Sequence, residues 1–560
     1  MGKGSATRKI VRGGRAANVH HEEERSAYAV SSREWRIVAL LCFIASLRIF
    51  FFGAVFPFFN NVDEPSHFDL IWKYSQWQIP AQGTDRISPE SLRMIFLFES
   101  PEYFRKAEEF PKGRLPPPAW LLPEAYKNAS LKRLNSVHIV NYEEYSPPLY
   151  YFVAGRWLAF GESLGLKNGG LLYWTRFLNI PVYALAVLLA FFIGKTIPGS
   201  NRSILWGLPT LVAFMPQDVF YSLNSDVLTP LPCGLAYLLM IRIILGKASD
   251  WMHWALMGAC IAAAVLIKTA NVPLLAMLMV VLLVRAVDTR GIRFSRKAVL
   301  NASAFCASLV VPLGIWISRN LATVGDWSGS DHKINLLGWT YKSFADIFLH
   351  PIFTPFGLGH FLHNTLSSFW RGEFVWGREG IASVYVDYFY SVSTGVFLGV
   401  STFSLVRFYK NRPARSLQPT IRKSPRKKSA AKNDRSIGSA AITDEGMHKV
   451  LFLSICGVSC SVAFMIALSM VFDFGNCVYP SREKPFFTSG RLLLCVLYPA
   501  LLCYIYGLDR IMSRFGNRVT SMHVICALCV LLTLNELYLS GPVFGSVYNF
   551  FHIPLGKLGP

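Results

Sequence analysis

Phe58-Phe59-Asn60-Asn61-Val62-Asp63-Glu64-Pro65-Ser66-His67-Phe68 sets two adjacent carboxylates and a histidine directly after a greasy stretch. Placement against lipid raises a carboxylate pKa, and a nearby cation restores the charge. A carboxylate so poised suits a general base acting on an alcohol. Asp63 just before Pro65 also fits the first turn of a helix, where an acidic cap needs no chemistry to explain it. A second pair, Glu143-Glu144, stands in Asn141-Tyr142-Glu143-Glu144-Tyr145-Ser146-Pro147-Pro148-Leu149-Tyr150-Tyr151. By itself that run reads as a Pro-initiated helix anchored by tyrosines in a head-group layer.

The elements that must position these groups are membrane helices. Of 560 residues, 52% are apolar and only 16% charged, where soluble domains carry about 25% charge. The 14 Trp, 23 Tyr and 42 Phe suit many membrane interfaces. This excludes a disordered, collagenous or disulfide-stapled chain and argues against a water-soluble enzyme. The net charge of +22 invites a nucleic-acid reading, but it is concentrated in two runs. One holds Lys3, Arg8, Lys9, Arg12 and Arg15; the other runs from Lys410 to Arg435. Neither carries stacking aromatics, so no nucleic acid is expected. Both fit the positive-inside pattern, with anionic lipids as cytoplasmic partners. Ten of the eleven cysteines fall in apolar segments, as small hydrophobes do, and no disulfide or zinc spacing appears.

Eleven spans are expected, at about 37–58, 173–195, 203–222, 226–245, 252–269, 271–287, 297–318, 386–407, 449–471, 490–509 and 520–540. Residues 148–160 are too short to cross and read as an interfacial helix. The fold class is therefore an all-α polytopic membrane protein. Residues 1–35 form a disordered basic cytoplasmic tail, and residues 36–408 a transmembrane core with outer loops 59–171 and 319–385. A basic linker (409–448), C-terminal spans (449–540) and an outer tail (541–560) follow. Lys195, Arg202, Lys247, the Arg285–Lys297 stretch and Arg510 all fall on the inside in this scheme.

The two acidic motifs, in this order, resemble the glycosyltransferase-C superfamily of polytopic enzymes. Asp63-Glu64-x-x-His67-Phe68 is similar to protein O-mannosyltransferases. Glu143 followed by Pro147-Pro148-Leu149-Tyr150-Tyr151 is similar to aminoarabinose transferases. The chain most of all resembles a family of uncharacterised, mostly bacterial membrane proteins of that clan, which share an Asp-Glu-Pro-x-His-Phe start. Trp174-Thr175-Arg176, Asn224-Ser225-Asp226, Leu266-Ile267-Lys268-Thr269, Ile315-Trp316-Ile317-Ser318-Arg319-Asn320 and Ser489-Gly490-Arg491-Leu492 extend the resemblance across about 37–510. Leu492 stands where the family's late Gly-Arg-Tyr segment has an aromatic.

The resemblance implies a polyprenyl-phosphate-sugar donor, a glycan, lipid or protein acceptor, and inverting transfer on the outer face of the cell membrane. In a eukaryote that membrane would be the endoplasmic reticulum's. It makes Asp63 the general base, with Glu64 or Glu143 positioning the acceptor or tuning Asp63. His67 and Tyr145 are substrate-binding candidates. Two of Arg176, Lys268, Arg319 and Arg491 would offset the departing phosphate. The alternative for each cation is snorkelling to head groups. No metal is required by the O-mannosyl-like motif. If a divalent ion did bind, Asp63, Glu64, Glu143, Asp226 and Asp326 are the available oxygen donors. The rival functions are a lipid or glycan transporter or flippase, and a non-catalytic scaffold of the same fold.

Overall fold

The computed structural model describes residues 30–59, 63–80, 86–136, 139–247, 250–288, 295–411, 430–477, 479–515 and 520–554, with backbone only at 135 and 430–443. Most of the basic tail and the Arg422–Lys428 centre of the basic linker lie outside these residues.

Helix makes up 74% of the described residues, with almost no sheet among them, and the protein is an all-α polytopic membrane protein. Among the described residues nine helices are long and apolar enough to cross a bilayer. They are Ser32–Val55, Asn168–Thr196, Ser225–Ile244, Thr269–Asp288, Arg296–Val324, Val384–Lys410, Asp444–Val471, Gly490–Met512 and Ser521–Leu539. Two expected spans are shorter: Arg202–Phe214 has 13 residues and Trp251–Ile267 has 17. At 1.5 Å per residue, 13 residues reach only about 20 Å, short of a bilayer's hydrocarbon thickness. The first helix also begins earlier than expected. Ser31 and Glu34 form a reciprocal capping box, which stops the polar tail at residue 30 rather than 35.

The ends of the bundle are marked by ion pairs between neighbouring helices. Glu34 and Lys195 meet at 2.8 Å, and Lys449 and Asp288 at 2.7 Å. Both pairs sit at the end that charge asymmetry assigns to the cytoplasm. At the opposite end lie the two long loops and the segment after Leu539. Phe550 packs edge-on to Tyr173 with centroids 4.9 Å apart, and Ser546 hydrogen-bonds Glu102. The C-terminal segment thus closes against the first loop.

The core is built around the Leu497–Met512 helix. Eleven of its residues from Leu497 to Leu508 are buried, the pattern of a helix apolar on every face. It touches the Arg202–Phe214, Val384–Lys410, Asp444–Val471 and Ser521–Leu539 helices. The first and last spans are pinned by Arg48 and Glu536 at 2.8 Å. Arg48 also donates to the Ala213 carbonyl at 2.9 Å and to Tyr221 Oη at 2.7 Å. A charge inside a bilayer is tolerated when partnered in this way.

Over the outer end, helix Glu64–Ser75 lies against helix Leu149–Ser163. A Cβ on Gly155 would come within 2.9 Å of the Ser75 backbone nitrogen, so only glycine admits this close crossing. Two-residue strands Thr340–Tyr341 and Phe472–Asp473 pair antiparallel and join the second loop to the end of the Asp444–Val471 span. The eleven cysteines are all free thiols.

Candidate functional site

Helix Glu64–Ser75 begins immediately after the first span, and Asp63 is its N-cap residue. Its carboxylate does not cap the helix: no side-chain cap bond forms. Instead Tyr142 Oη donates to Asp63 Oδ1 at 2.8 Å, and Arg491 Nη2 lies 3.4 Å from Oδ2. The capping explanation for Asp63 therefore fails. His67, four residues on, lies on the same helical face.

The Asn141–Glu144 turn is bolted along this helix. Asn141 Nδ2 donates to the Ser66 carbonyl at 3.0 Å and to Asp69 Oδ2 at 2.9 Å. Lys73 joins Asp69 at 2.9 Å and Glu144 at 2.7 Å, all buried. With the turn held there, Glu143 reaches Asp63 and His67. One ligand atom from each of the three lies within 4.8 Å of the other two. His67 Nδ1 is taken by Tyr151 Oη at 2.8 Å.

Cations surround this cluster. Lys333, from the short helix Asp331–Leu336 in the second loop, hydrogen-bonds Glu143. Lys268, at the end of helix Trp251–Ile267, pairs with Asp226 at 2.6 Å. Arg491 Nε is 3.6 Å from the same Asp226 carboxylate. Arg491 thus bridges Asp63 to Asp226 and Lys268. Burial alone would push the Asp63 carboxyl up, but Lys333 and then Arg491 hold it well below the usual carboxylate range. For Glu143 too, burial would raise the pKa, and the Lys333 charge lowers it. Burial depresses His67, which favours the neutral imidazole. Tyr142 is pushed up by burial and then by Asp63, and so stays a hydrogen-bond donor.

Of the nine residues singled out by sequence, Asp63, His67, Glu143, Lys268 and Arg491 gather at this one end. The others go elsewhere. Glu64 is fully buried in an ion pair with Arg176 at 2.8 Å and accepts the Leu223 backbone N–H at 2.9 Å. Arg176 also donates to the carbonyls of Gly53 at 3.1 Å and Pro57 at 3.1 Å, and its guanidinium stacks 3.6 Å above Phe58. These two residues lock the end of the first span, where Arg176 is engaged by Glu64 and by backbone carbonyls. Arg319 donates to the Pro80 carbonyl and staples the first loop to the Arg296–Val324 helix. Tyr145 packs edge-on to His332 at 4.9 Å, against the second loop. Asp326 accepts from Ser328, Ser330 and Asp331 within its own loop and is not a donor to the cluster.

Sequence reasoning missed Lys333 and Tyr142 as site members. Tyr142 is adjacent to a flagged glutamate, and that adjacency was the available signal. Lys333 sits in no motif. A second acid pair was also missed. Glu373 accepts from Tyr479 Oη at 3.1 Å and Ser489 Oγ at 2.5 Å. Asp218 beside it is pushed up to about 6 by burial and then by the Glu373 charge. A Cβ on Gly372 would sit 1.9 Å from Asp218 Oδ1, and Gly372 adopts φ +78°. Glycine is thus required both for the space and for the backbone.

No curated protein matches the chain. A family model described as "Predicted membrane protein (DUF2142)" matches residues 49–424, about two thirds of the chain. The match takes in Asp63, His67, Glu143, Lys268 and Lys333 and stops short of Arg491, and on this match the chain belongs to the DUF2142 family of predicted membrane proteins.

Proposed function

We propose that this protein is a membrane glycosyltransferase of the glycosyltransferase-C kind, moving a hexosyl or pentosyl unit from a polyprenyl-phosphate sugar to an acceptor hydroxyl on the extracytoplasmic or luminal face. The observation that carries the reading is Asp63, a carboxylate turned off its own helix cap and toward Tyr142 and Arg491. Around it, Lys268, Lys333 and Arg491 supply three positive charges.

In this reading the acceptor oxygen attacks the anomeric carbon and its proton passes to Asp63. The bond from that carbon to the phosphate oxygen breaks, and the lipid phosphate leaves with the electron pair. Arg491, with Lys268 or Lys333, offsets the charge that develops there. An aspartate held ionised by cations is a weak base. Donor binding changes that: a phosphate draws Arg491 and Lys333 to itself, and Asp63, relieved of their field, gains basicity. Single displacement inverts the anomeric centre.

The test is glycan and lipid-linked sugar analysis of cells carrying Asp63→Asn against wild type. An accumulated polyprenyl-phosphate sugar, together with one missing glycan residue, is the expected result. An unchanged profile at normal protein level removes Asp63 as the base and moves the weight to a scaffold or transporter.

A further inference from the structure

Asp63, His67 and Glu143 form the donor set of a divalent-cation site: two carboxylates and one imidazole, with ligand atoms within 4.8 Å of one another. Such a mixed oxygen and nitrogen set suits zinc or manganese. The supports are also of the kind such sites use. His67 Nδ1 hydrogen-bonds the Tyr151 hydroxyl at 2.8 Å, which fixes the orientation of the ring. Tyr142 orients Asp63, and Ser146 donates to the Glu143 Oε2 oxygen.

A cation already stands at these residues. Lys333 Nζ bonds the Glu143 Oε1 oxygen, and its charge is felt by Asp63 as strongly as any other group's. The ammonium also lies 5.4 Å from the centre of the Tyr142 ring. It comes from a different loop than its partners, on a helix of six residues. Gly325, Gly329 and Gly338 bracket that helix, all at positive φ between 68° and 75°.

We infer that Lys333 is a tethered occupant of a three-ligand cation site: its ammonium holds the place of a divalent ion at Asp63, His67 and Glu143, and removing it opens the site to zinc or manganese. The charges support this. Two carboxylates with Lys333 and Arg491 beside them are already neutralised, and a divalent ion added on top would bring Lys333 into like-charge contact with it. Without Lys333 the same donors carry one uncompensated negative charge and a neutral imidazole. The inference goes beyond sugar transfer and does not depend on it, because its readout is metal binding.

The experiment uses full-length protein purified in detergent, stripped with EDTA and dialysed against Zn²⁺. Wild type is expected to retain no stoichiometric zinc. Lys333→Met is expected to retain about one equivalent, with at least about tenfold tighter binding. Adding His67→Ala to Lys333→Met abolishes the gain. Monodispersity and a normal melting midpoint establish that Lys333→Met is folded. Should it fail to fold, the wild-type protein supplies the test. Excess Zn²⁺ must displace the ammonium, so acylation of Lys333 by an amine-directed reagent, read by mass spectrometry, speeds up with zinc while that of Lys106 does not. The inference is overturned if wild type carries a stoichiometric divalent ion held by Asp63, if folded Lys333→Met gains no zinc, or if Lys333 labelling ignores zinc.

Discussion

Glu143 and Glu144 are neighbours in the chain, yet they serve different salt bridges: Glu143 meets Lys333 from the second loop, and Glu144 meets buried Lys73 at 2.7 Å. The turn held by Asn141 separates them. One glutamate is given to the candidate site and the other to the helix that carries it.

The two glutamates should therefore fail differently. Glu144→Gln removes one of the two carboxylates from buried Lys73, which keeps Asp69 and the Arg86 carbonyl. A cost on the order of 2 kcal/mol is expected, less than for a wholly orphaned charge because these partners remain. It should appear as a lower melting midpoint in detergent. Glu143→Gln frees a lysine whose side chain is 36% exposed, so water takes over the solvation and the stability change stays under about 1 kcal/mol. Its effect should fall on sugar transfer. Equal melting losses for both would refute the division of labour.

Arg176 offers a sharper distinction between scaffold and site. Arg176→Met takes the ion-pair partner away from a fully buried Glu64. Removing one member of a buried pair costs about 3–5 kcal/mol. The double variant Arg176→Met with Glu64→Gln should recover much of that, because no bare charge is left. Thermal melting of the three variants decides it. A well-folded Arg176→Met that has merely lost turnover would restore Arg176 to the phosphate site.

The Glu64–Arg176 and Glu143–Lys333 pairs show what the chain could and could not disclose. Span positions were legible because hydropathy over about 20 residues is a one-dimensional property. Asp63, His67 and Glu143 were legible because acid and imidazole groups at a membrane boundary have few structural reasons to be there. For Arg176 and Arg319 the sequence left two readings open, for a physical reason. An arginine at a helix end can reach a ligand or a neighbouring carbonyl, and only the packing says which. Here the carbonyls of Gly53, Pro57 and Pro80 take them. Lys333 was illegible because it stands 190 residues from the carboxylate it meets.

Asp218 provides a pH-dependent prediction. Its folded pKa is raised to about 6 by burial and the nearby Glu373, above the ordinary value near 3.9. The folded protein then binds a proton that the unfolded chain has released between those two values. Stability falls as pH rises from about 4 to about 6 and is flat above, with a total loss on the order of 2 kcal/mol. Asp218→Asn removes the titration. Melting midpoints at pH 5 and pH 8 should lie closer together in the variant than in wild type, with the variant gaining most at pH 8. An unchanged difference would mean Asp218 is ionised throughout.

Arg491 is the cation whose substitution speaks most directly to transfer. It lies 3.4 Å from Asp63 and 3.6 Å from Asp226, in a segment that begins as a 3-10 turn and continues into the most buried span. Two carboxylates flank one guanidinium, whose planar fork suits a phosphate entering between them. Arg491→Ala is expected to lower kcat/KM for sugar transfer by at least about 100-fold. Arg491→Lys keeps the charge but loses the fork, and should recover only part of that. A merely snorkelling arginine would behave otherwise, since an ammonium reaches head groups as well as a guanidinium does. Full activity in Arg491→Lys would therefore remove Arg491 from the phosphate site and leave Lys268 and Lys333 to carry the leaving group.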